Sequence, residues 1–198
     1  MKEKIICKSR EMFLKFGFKS VTMDDIANEM CISKKTIYKF FCNKEVLVEQ
    51  TVETVHEEIH NTMSEIFNKN YNAIHENFEI RQMFKDMFQS SETSPVYQLK
   101  RHYPEIYQQA HCRQIDECRI WFKKNIENGI EQGLYRNGID VEIYSKFYYM
   151  LIFQINEDTI LEKDAVELEL KALEYHTRAL ATPDGVKELE KQLSNPNL

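Results

Sequence analysis

Three helix-start signals lie close together in the first quarter of the chain and restrict its fold more than any other feature. Thr22, Ser33 and Asn43 each precede a stretch of helical character, and their side-chain oxygens suit the N-cap position. Asp25 follows Thr22 at the spacing of a capping box. The intervals between the caps allow one short helix after Thr22 and another from Lys34 to about Phe40, before a longer helix begins after Asn43.

The segment around the first two caps indicates a helix-turn-helix. Cys31-Ile32-Ser33 is the turn, and two short helices joined by a turn of three or four residues define this motif. Ahead of it, apolar residues at helical spacing predict a helix from Lys2 to Phe16, which Gly17 ends because a left-handed conformation costs glycine least. After the turn, Ile37 and Phe41 are free to pack inward.

The outer face of the second short helix carries basic and hydroxyl groups. Its residues are Lys34, Lys35, Thr36, Tyr38 and Lys39. Such groups suit a DNA major groove, which presents phosphate oxygens and base acceptors to an inserted helix. Residues 1–50 hold ten Lys and Arg against seven Asp and Glu, although the whole chain has a net charge of −6. A basic head on an acidic body predicts that only the head meets an anionic partner.

Three segments keep a fixed spacing that matches a known family. They are Thr22–Ala27, Ser33–Phe41 and Asn43–Glu45, preceded by Phe13 and Gly17. This pattern resembles the DNA-binding domain of TetR-family transcriptional regulators. The resemblance implies that Thr22 and Lys44 contact phosphate near helix N-termini, and that the outer face of the second short helix enters the groove. The family's turn usually has glycine where this chain has Cys31, and a left-handed cysteine costs about 1 kcal/mol or more.

The rest of the chain is predicted to be helical, so the expected fold class is all-α. With only five glycines and four prolines, the composition favours long helices over a turn-rich β fold. The predicted helices run from Lys44 to about Phe67, Asn72 to Gln89, Pro104 to about Leu134, Glu142 to Leu161 and Asp164 to Ala181. We expect a helix-turn-helix DNA-binding domain over 1–46 and a larger helical ligand-binding and dimerisation domain over 47–198.

The last two predicted helices indicate a contact between subunits. The segment Glu142–Leu161 is apolar nearly all round its middle, so it must be buried on more than one side. The segment Asp164–Ala181 has two apolar stripes, one for its own core and one for a second subunit. One stripe is Val166, Leu170, Leu173 and Leu180; the other is Ala165, Leu168, Ala172, Tyr175 and Ala179. The resemblance implies a homodimer on a palindromic operator, and repression released by a small-molecule effector.

Aromatic residues in the second half of the chain supply candidates for an effector pocket, because helical bundles bind ligands between their helices. The candidates are Phe84, Phe88, Tyr107, Trp121 and Tyr148. We expect no cofactor and no catalytic or metal-binding residue, and the sequence does not name the effector.

Two alternatives stand beside the regulator. The run His56-Glu57-Glu58-Ile59-His60 matches the H-E-x-x-H helix pattern of zinc hydrolases, in which two histidines bind the metal and the glutamate acts as base. It lacks an evident third ligand and lies on a charged helix face. The other alternative is a helix-turn-helix interaction module without DNA binding, which the basic head disfavours.

The sequence also predicts a cytoplasmic location. The first ten residues contain no apolar signal core, and the longest apolar run, 147–153, is far shorter than a membrane span. The five cysteines form no C-x-x-C pair, which favours free thiols in a reducing compartment.

Overall fold

Ten helices build the fold in the computed structural model, which describes residues 1–195. They are α1 (Lys2–Phe16), α2 (Met23–Glu29), α3 (Lys34–Tyr38), α4 (Lys44–Asn68), α5 (Ala73–Phe88), α6 (Pro95–His102), α7 (Pro104–Glu131), α8 (Val141–Asp158), α9 (Glu162–Leu180) and α10 (Pro183–Leu193). Over these residues, β pairing is limited to two isolated bridges, Thr93 with Leu161 and Tyr135 with Ala181. The all-α prediction is confirmed.

The three predicted caps start their helices as the sequence indicated. The Thr22 hydroxyl accepts from the backbone N–H of Asp25 at 3.2 Å, and the Asp25 carboxylate accepts from the Thr22 N–H at 2.8 Å, which completes the capping box. Ser33 and Asn43 cap α3 and α4, each accepting from the backbone N–H three residues on, at 3.1 and 2.9 Å. The starts of α2, α3 and α4 are therefore fixed by local chemistry.

A first apolar cluster, here called the N-terminal core, holds α1 to α4 together. Its largest fully buried members are Ile5, Phe13, Ile26, Ile37, Phe41 and Leu47. Ile37 and Phe41 thus pack inward as predicted. Leu99 from α6 and Ile106 from α7 complete the same cluster, so the helix-turn-helix rests directly on the following helices.

The helix-turn-helix turn keeps the geometry that glycine would favour, despite its cysteine. Cys31 has a φ of 54°, in the left-handed region. The Ile32 N–H donates to the Ala27 carbonyl and the Cys31 N–H to the Asn28 carbonyl, both at 3.0 Å. These two bonds form a Schellman motif, which satisfies the last carbonyls of α2. Cys31 therefore leaves the turn intact at a conformational cost.

Two further apolar clusters lie among α4, α5 and α7 to α10. One contains Ile59, Met63, Ile66 and Ile80; the other contains Ile74, Phe78, Ile126, Tyr135, Leu173, Leu180 and Leu189. Gly129 allows this packing, because a Cβ there would lie 2.1 Å from the Tyr135 ring. Gly133, with a φ of 72°, ends α7 in a second Schellman motif.

The sequence interpretation missed two helices, α6 and α10. Both begin with proline at the first helical position, after the caps Ser94 and Thr182. Predicted ends elsewhere differ by a few residues, since α7 stops at Glu131 and α8 at Asp158. No helix in residues 1–195 is long and apolar enough to cross a bilayer.

The outer faces of α8 and α9 leave large apolar side chains exposed. Phe147 and Met150 of α8 are 61% and 53% exposed, and Tyr175 of α9 is 72% exposed. Neither predicted stripe of α9 is wholly buried or wholly exposed: Ala165 and Ala172 of one are buried, as are Leu173 and Leu180 of the other, whereas Tyr175 is exposed. The reason is that α5, α8 and α10 all pack on α9, so its buried face is wider than one stripe.

Candidate nucleic-acid interface

The outer face of α3 presents cations and an aromatic ring to solvent. Lys35, Tyr38 and Lys39 are exposed. Thr36 is half-buried, and its hydroxyl lies 2.8 Å from that of Ser33, so part of its hydrogen-bonding capacity serves the helix start. No carboxylate in the described part of the chain forms an ion pair with Lys35 or Lys39, which leaves both ammonium groups open to an anionic partner.

Lys34 differs from the other two lysines of α3, because it joins α3 to α2. Its ammonium lies 2.7 Å from the carboxylate of Asp24 and 5.8 Å from the centre of the Tyr38 ring. The hydrogen bond to Asp24 raises the pKa of Lys34 above its ordinary value. A phosphate that used Lys34 would have to compete with Asp24 for it.

Thr22 and Lys44, the two predicted phosphate contacts, lie at the starts of α2 and α4. The Thr22 hydroxyl is engaged with Asp25 at 2.7 Å, and these bonds lower the pKa of that carboxyl. The half-buried ammonium of Lys44 donates to the Lys19 carbonyl at 3.2 Å, and burial lowers its pKa. Both side chains therefore support the fold, while the first backbone N–H groups of their helices have no intrahelical partner.

A cavity of about 190 Å³ lies behind the N-terminal core, between α1 and the helices α4 to α9. Among the predicted effector contacts, Phe84, Phe88 and Tyr107 line it. Trp121 instead packs near Phe67, with ring centres 6.2 Å apart. Tyr148 is also elsewhere, stacked on His176 at 4.1 Å in a buried apolar cluster. The structure thus brings three of the five candidates together.

The cavity touches the N-terminal core directly. Phe13 and Phe18 belong to both, and Arg10 and Leu14 of α1 also line the cavity. The Gln98 side chain of α6 accepts from the Phe18 N–H at 2.9 Å, which ties α6 to the chain just before the helix-turn-helix. A molecule in the cavity would therefore contact the element on which α2 and α3 rest.

Polar groups in the cavity wall escaped the sequence interpretation. Tyr107 bonds His111 at 2.9 Å and also donates to Glu157, which Lys100 pairs at 2.6 Å. Glu162 is buried at the start of α9. Glu169 of α9 accepts a hydrogen bond from the Asn156 amide at 2.6 Å. In the sequence, the one available sign of such buried polar residues is a charged residue within an otherwise apolar helix face.

The H-E-x-x-H run does not assemble a site of hydrolase type. His56 lies 3.2 Å and His60 3.6 Å from the two oxygens of Glu117, whereas Glu57 is exposed. Within residues 1–195, no group of three His, Cys, Asp or Glu side chains is arranged to hold a metal ion.

Comparison with known proteins points to one family. Residues 5–51 match the family model described as "Bacterial regulatory proteins, tetR family". The chain is 28% identical over 160 residues to the "Uncharacterized HTH-type transcriptional regulator YhgD" of Bacillus subtilis, covering 77% of this chain and 82% of that protein. These findings support a DNA-binding transcriptional regulator of the TetR family.

Two further similarities agree with this comparison. The regulator is 27% identical over 109 residues to the "Biofilm operon icaADBC HTH-type negative transcriptional regulator IcaR" of Staphylococcus aureus, covering 55% of this chain and 53% of that protein. It also superposes on a TetR-family regulator from Agrobacterium tumefaciens with a TM-score of 0.72 at 13% identity, covering 91% and 97% of the two chains. The second similarity concerns the fold alone, and it extends over most of both chains.

Proposed function

We propose that this regulator is a homodimeric repressor that binds a palindromic operator and leaves it when a small molecule occupies the cavity. The observation that carries the proposal is the outer face of α3, where Lys35, Tyr38 and Lys39 are exposed. Ser33 caps the start of this helix. Repression is also the activity named for the Staphylococcus aureus relative, a negative transcriptional regulator. Because it acts on the chromosome, the protein would work in the cytoplasm.

The proposed DNA contacts divide into two groups. Residues of α3 enter the major groove, with Tyr38, Lys35 and Lys39 as the principal contacts and Thr36 and Lys34 beside them. Thr22 and Lys44 mark the helix starts where backbone N–H groups approach phosphate. Lys44 acts mainly by holding α4 in place, because its ammonium is folded onto the Lys19 carbonyl.

The proposed dimer forms through α8 and α9. Exposed Phe147, Met150 and Tyr175 supply apolar area that a second subunit would remove from water. Two-fold pairing would set the two α3 helices about 34 Å apart or a multiple of it, one turn of B-DNA. An operator with two inverted half-sites follows from that symmetry.

In the proposed arrangement, residues 1–46 form the DNA-binding domain and residues 47–198 form the effector-binding and dimerisation domain. The helix α4 runs without interruption across this boundary, and its residues Val52, Val55 and Ile59 line the cavity. A ligand that favours one position of α4 and α1 would therefore change the spacing of the two α3 helices. Its effect on DNA affinity equals its differential affinity for the two states.

The salt dependence of operator binding tests the groove assignment. Lys39→Ala should weaken binding and lower the slope of log affinity against log salt by about 1, since one phosphate contact is lost. Lys171→Ala, an exposed lysine of α9, is the matched control and should change neither. An unchanged slope in Lys39→Ala would show that Lys39 makes no phosphate contact. Weaker binding in both variants would show that the loss reflects net charge and not a contact at α3.

A further inference from the structure

The cavity wall holds a buried carboxylate, Glu162, one oxygen of which has no partner among the described residues. Glu162 is 7% exposed, and its Oε2 atom has no hydrogen-bond partner within residues 1–195. An isolated buried charge of this kind is costly unless a cation or several donors accompany it. Burial and the neighbouring Glu169 raise the pKa of Glu162 to about 7, so the carboxylate is poorly stabilised where it lies.

The other charged groups of the wall already have partners. Arg10 pairs with Glu58 at 2.6 Å, and His56 lies 3.2 Å from Glu117. Glu169 accepts from the Asn156 amide at 2.6 Å. These contacts leave the Glu162 carboxylate as the charge for which a bound molecule can compensate.

The second carboxylate of the wall belongs to Glu169, which has a cation nearby. Among the described residues, Glu162 has no such cation. Burial raises the pKa of Glu169, although the Asn156 amide and the Arg81 guanidinium oppose that rise. Arg81 is held in place by a bond from its Nη2 to the Val166 carbonyl at 3.1 Å. For Glu162, by contrast, no basic group within residues 1–195 opposes the effect of burial on its pKa. One positive charge on a bound molecule would therefore compensate the negative charge of the Glu162 carboxylate.

The rest of the wall favours an organic cation over a metal ion. Phe84, Phe88, Tyr149 and Phe153 contribute aromatic rings, and ring faces attract ammonium groups as well as apolar surface. An apolar cavity of about 150 Å³ is enough for benzene, so about 190 Å³ admits one ring with a short arm. Oxygen-rich coordination, which a hard metal ion needs, is not assembled here within the described residues.

We infer that the effector is an organic monocation with an aromatic or aliphatic body, whose ammonium group binds the Glu162 carboxylate. The inference rests on the proposed function, because it takes the cavity as the effector site. It adds the chemical class of the effector and the residue that selects it.

A charge series on one scaffold tests the inference. Calorimetry at about pH 8, where Glu162 is mainly ionised, compares 3-phenylpropylamine, 3-phenylpropan-1-ol and 3-phenylpropanoate on the full-length protein without DNA. The ammonium compound should bind at least about tenfold more tightly than the alcohol, and the carboxylate should not bind. Equal affinity for the amine and the alcohol, tighter binding of the carboxylate, or no binding of the amine would each overturn the inference.

Substitution at the carboxylate separates its role from that of the apolar wall. Glu162→Gln should abolish the preference for the amine while leaving binding of the alcohol unchanged. Glu167→Gln, an exposed position of α9, should keep the preference. If Glu162→Gln keeps it too, the assignment to Glu162 is wrong. Because no DNA is present, a failure here leaves operator binding untouched, and a failure to bind DNA leaves the calorimetry interpretable.

Discussion

Cys31 adopts a backbone conformation that is unfavourable for a residue with a side chain. Its φ of 54° lies where a side chain is strained, yet both hydrogen bonds of the turn are made. The surrounding helices impose this conformation, because α2 must end and α3 begin within a few residues. The strain therefore lowers the stability of the fold, while the two hydrogen bonds keep the turn between α2 and α3 intact.

Replacement of this cysteine by glycine should stabilise the protein. Cys31→Gly relieves the left-handed strain but adds freedom to the unfolded chain, so the net gain should be about 0.5–1 kcal/mol. Urea unfolding measures it. Cys42→Gly is the matched control, since Cys42 is exposed and has no positive φ, and it should give a loss. A loss in both variants would show that Cys31 bears no strain.

Glu162 should make stability depend on pH in a defined direction. Its pKa rises from 4.5 in the unfolded chain to about 7 in the folded protein. The folded state therefore holds the proton more tightly, and stability falls as pH rises between these two values. Glu162→Gln should melt at a higher temperature than wild type at about pH 8 and at nearly the same temperature at about pH 4.

The control for this pH effect is the exposed neighbour Glu167→Gln, whose melting temperature should follow wild type at both pH values. An advantage of Glu162→Gln that is equal at the two pH values would mean that the substitution acts through packing. It would contradict a destabilising buried charge.

At the scale of elements, the sequence predicted most helices because their signals are local. The caps Thr22, Ser33 and Asn43, and the glycine after α1, are short-range features that the structure reproduces. The helices α6 and α10 were missed because each is short and starts at a proline, which also marks loops.

The candidate cavity was harder to predict, since its wall comes from seven helices distant in sequence. Phe84 and Tyr107 were recognisable as aromatic residues, but nothing in their spacing distinguishes them from Trp121 and Tyr148, which pack in other clusters. Nothing in the sequence around Glu162 marks this residue as buried. Its burial depends on which helices pack over it, and that is a property of the tertiary structure.

The apolar face of α8 carries a prediction about assembly. Phe147→Glu would place a charge in the proposed subunit contact and should shift the protein from dimer to monomer, lowering the association constant by at least about tenfold. Sedimentation velocity measures the change. Ile120→Glu, an equally exposed apolar position on α7, should leave the dimer intact. A dimeric Phe147→Glu variant would place the interface elsewhere.

Over the whole molecule, the distribution of charge and the position of the cavity assign the two proposed tasks, DNA binding and ligand binding, to different parts of the chain. Residues 1–50 carry a net positive charge and the remainder a net negative charge, so we expect DNA to approach the N-terminal part of the chain. The cavity lies behind that end and shares Phe13 and Phe18 with the N-terminal core. In the proposed mechanism, a ligand in the cavity and an operator at α3 would act on the same packed group of side chains, which would couple the two binding events.

Selection of bound duplexes from a random DNA pool, at fixed salt near physiological strength, shows whether the protein recognises an inverted repeat. We expect enrichment of one inverted repeat whose half-site centres are about 10 base pairs apart or a multiple of that. Tyr38→Ala should abolish the enrichment while the protein stays folded and dimeric. Enrichment of a single half-site, or none from a folded dimeric protein without bound ligand, would contradict a dimeric repressor that reads DNA through α3.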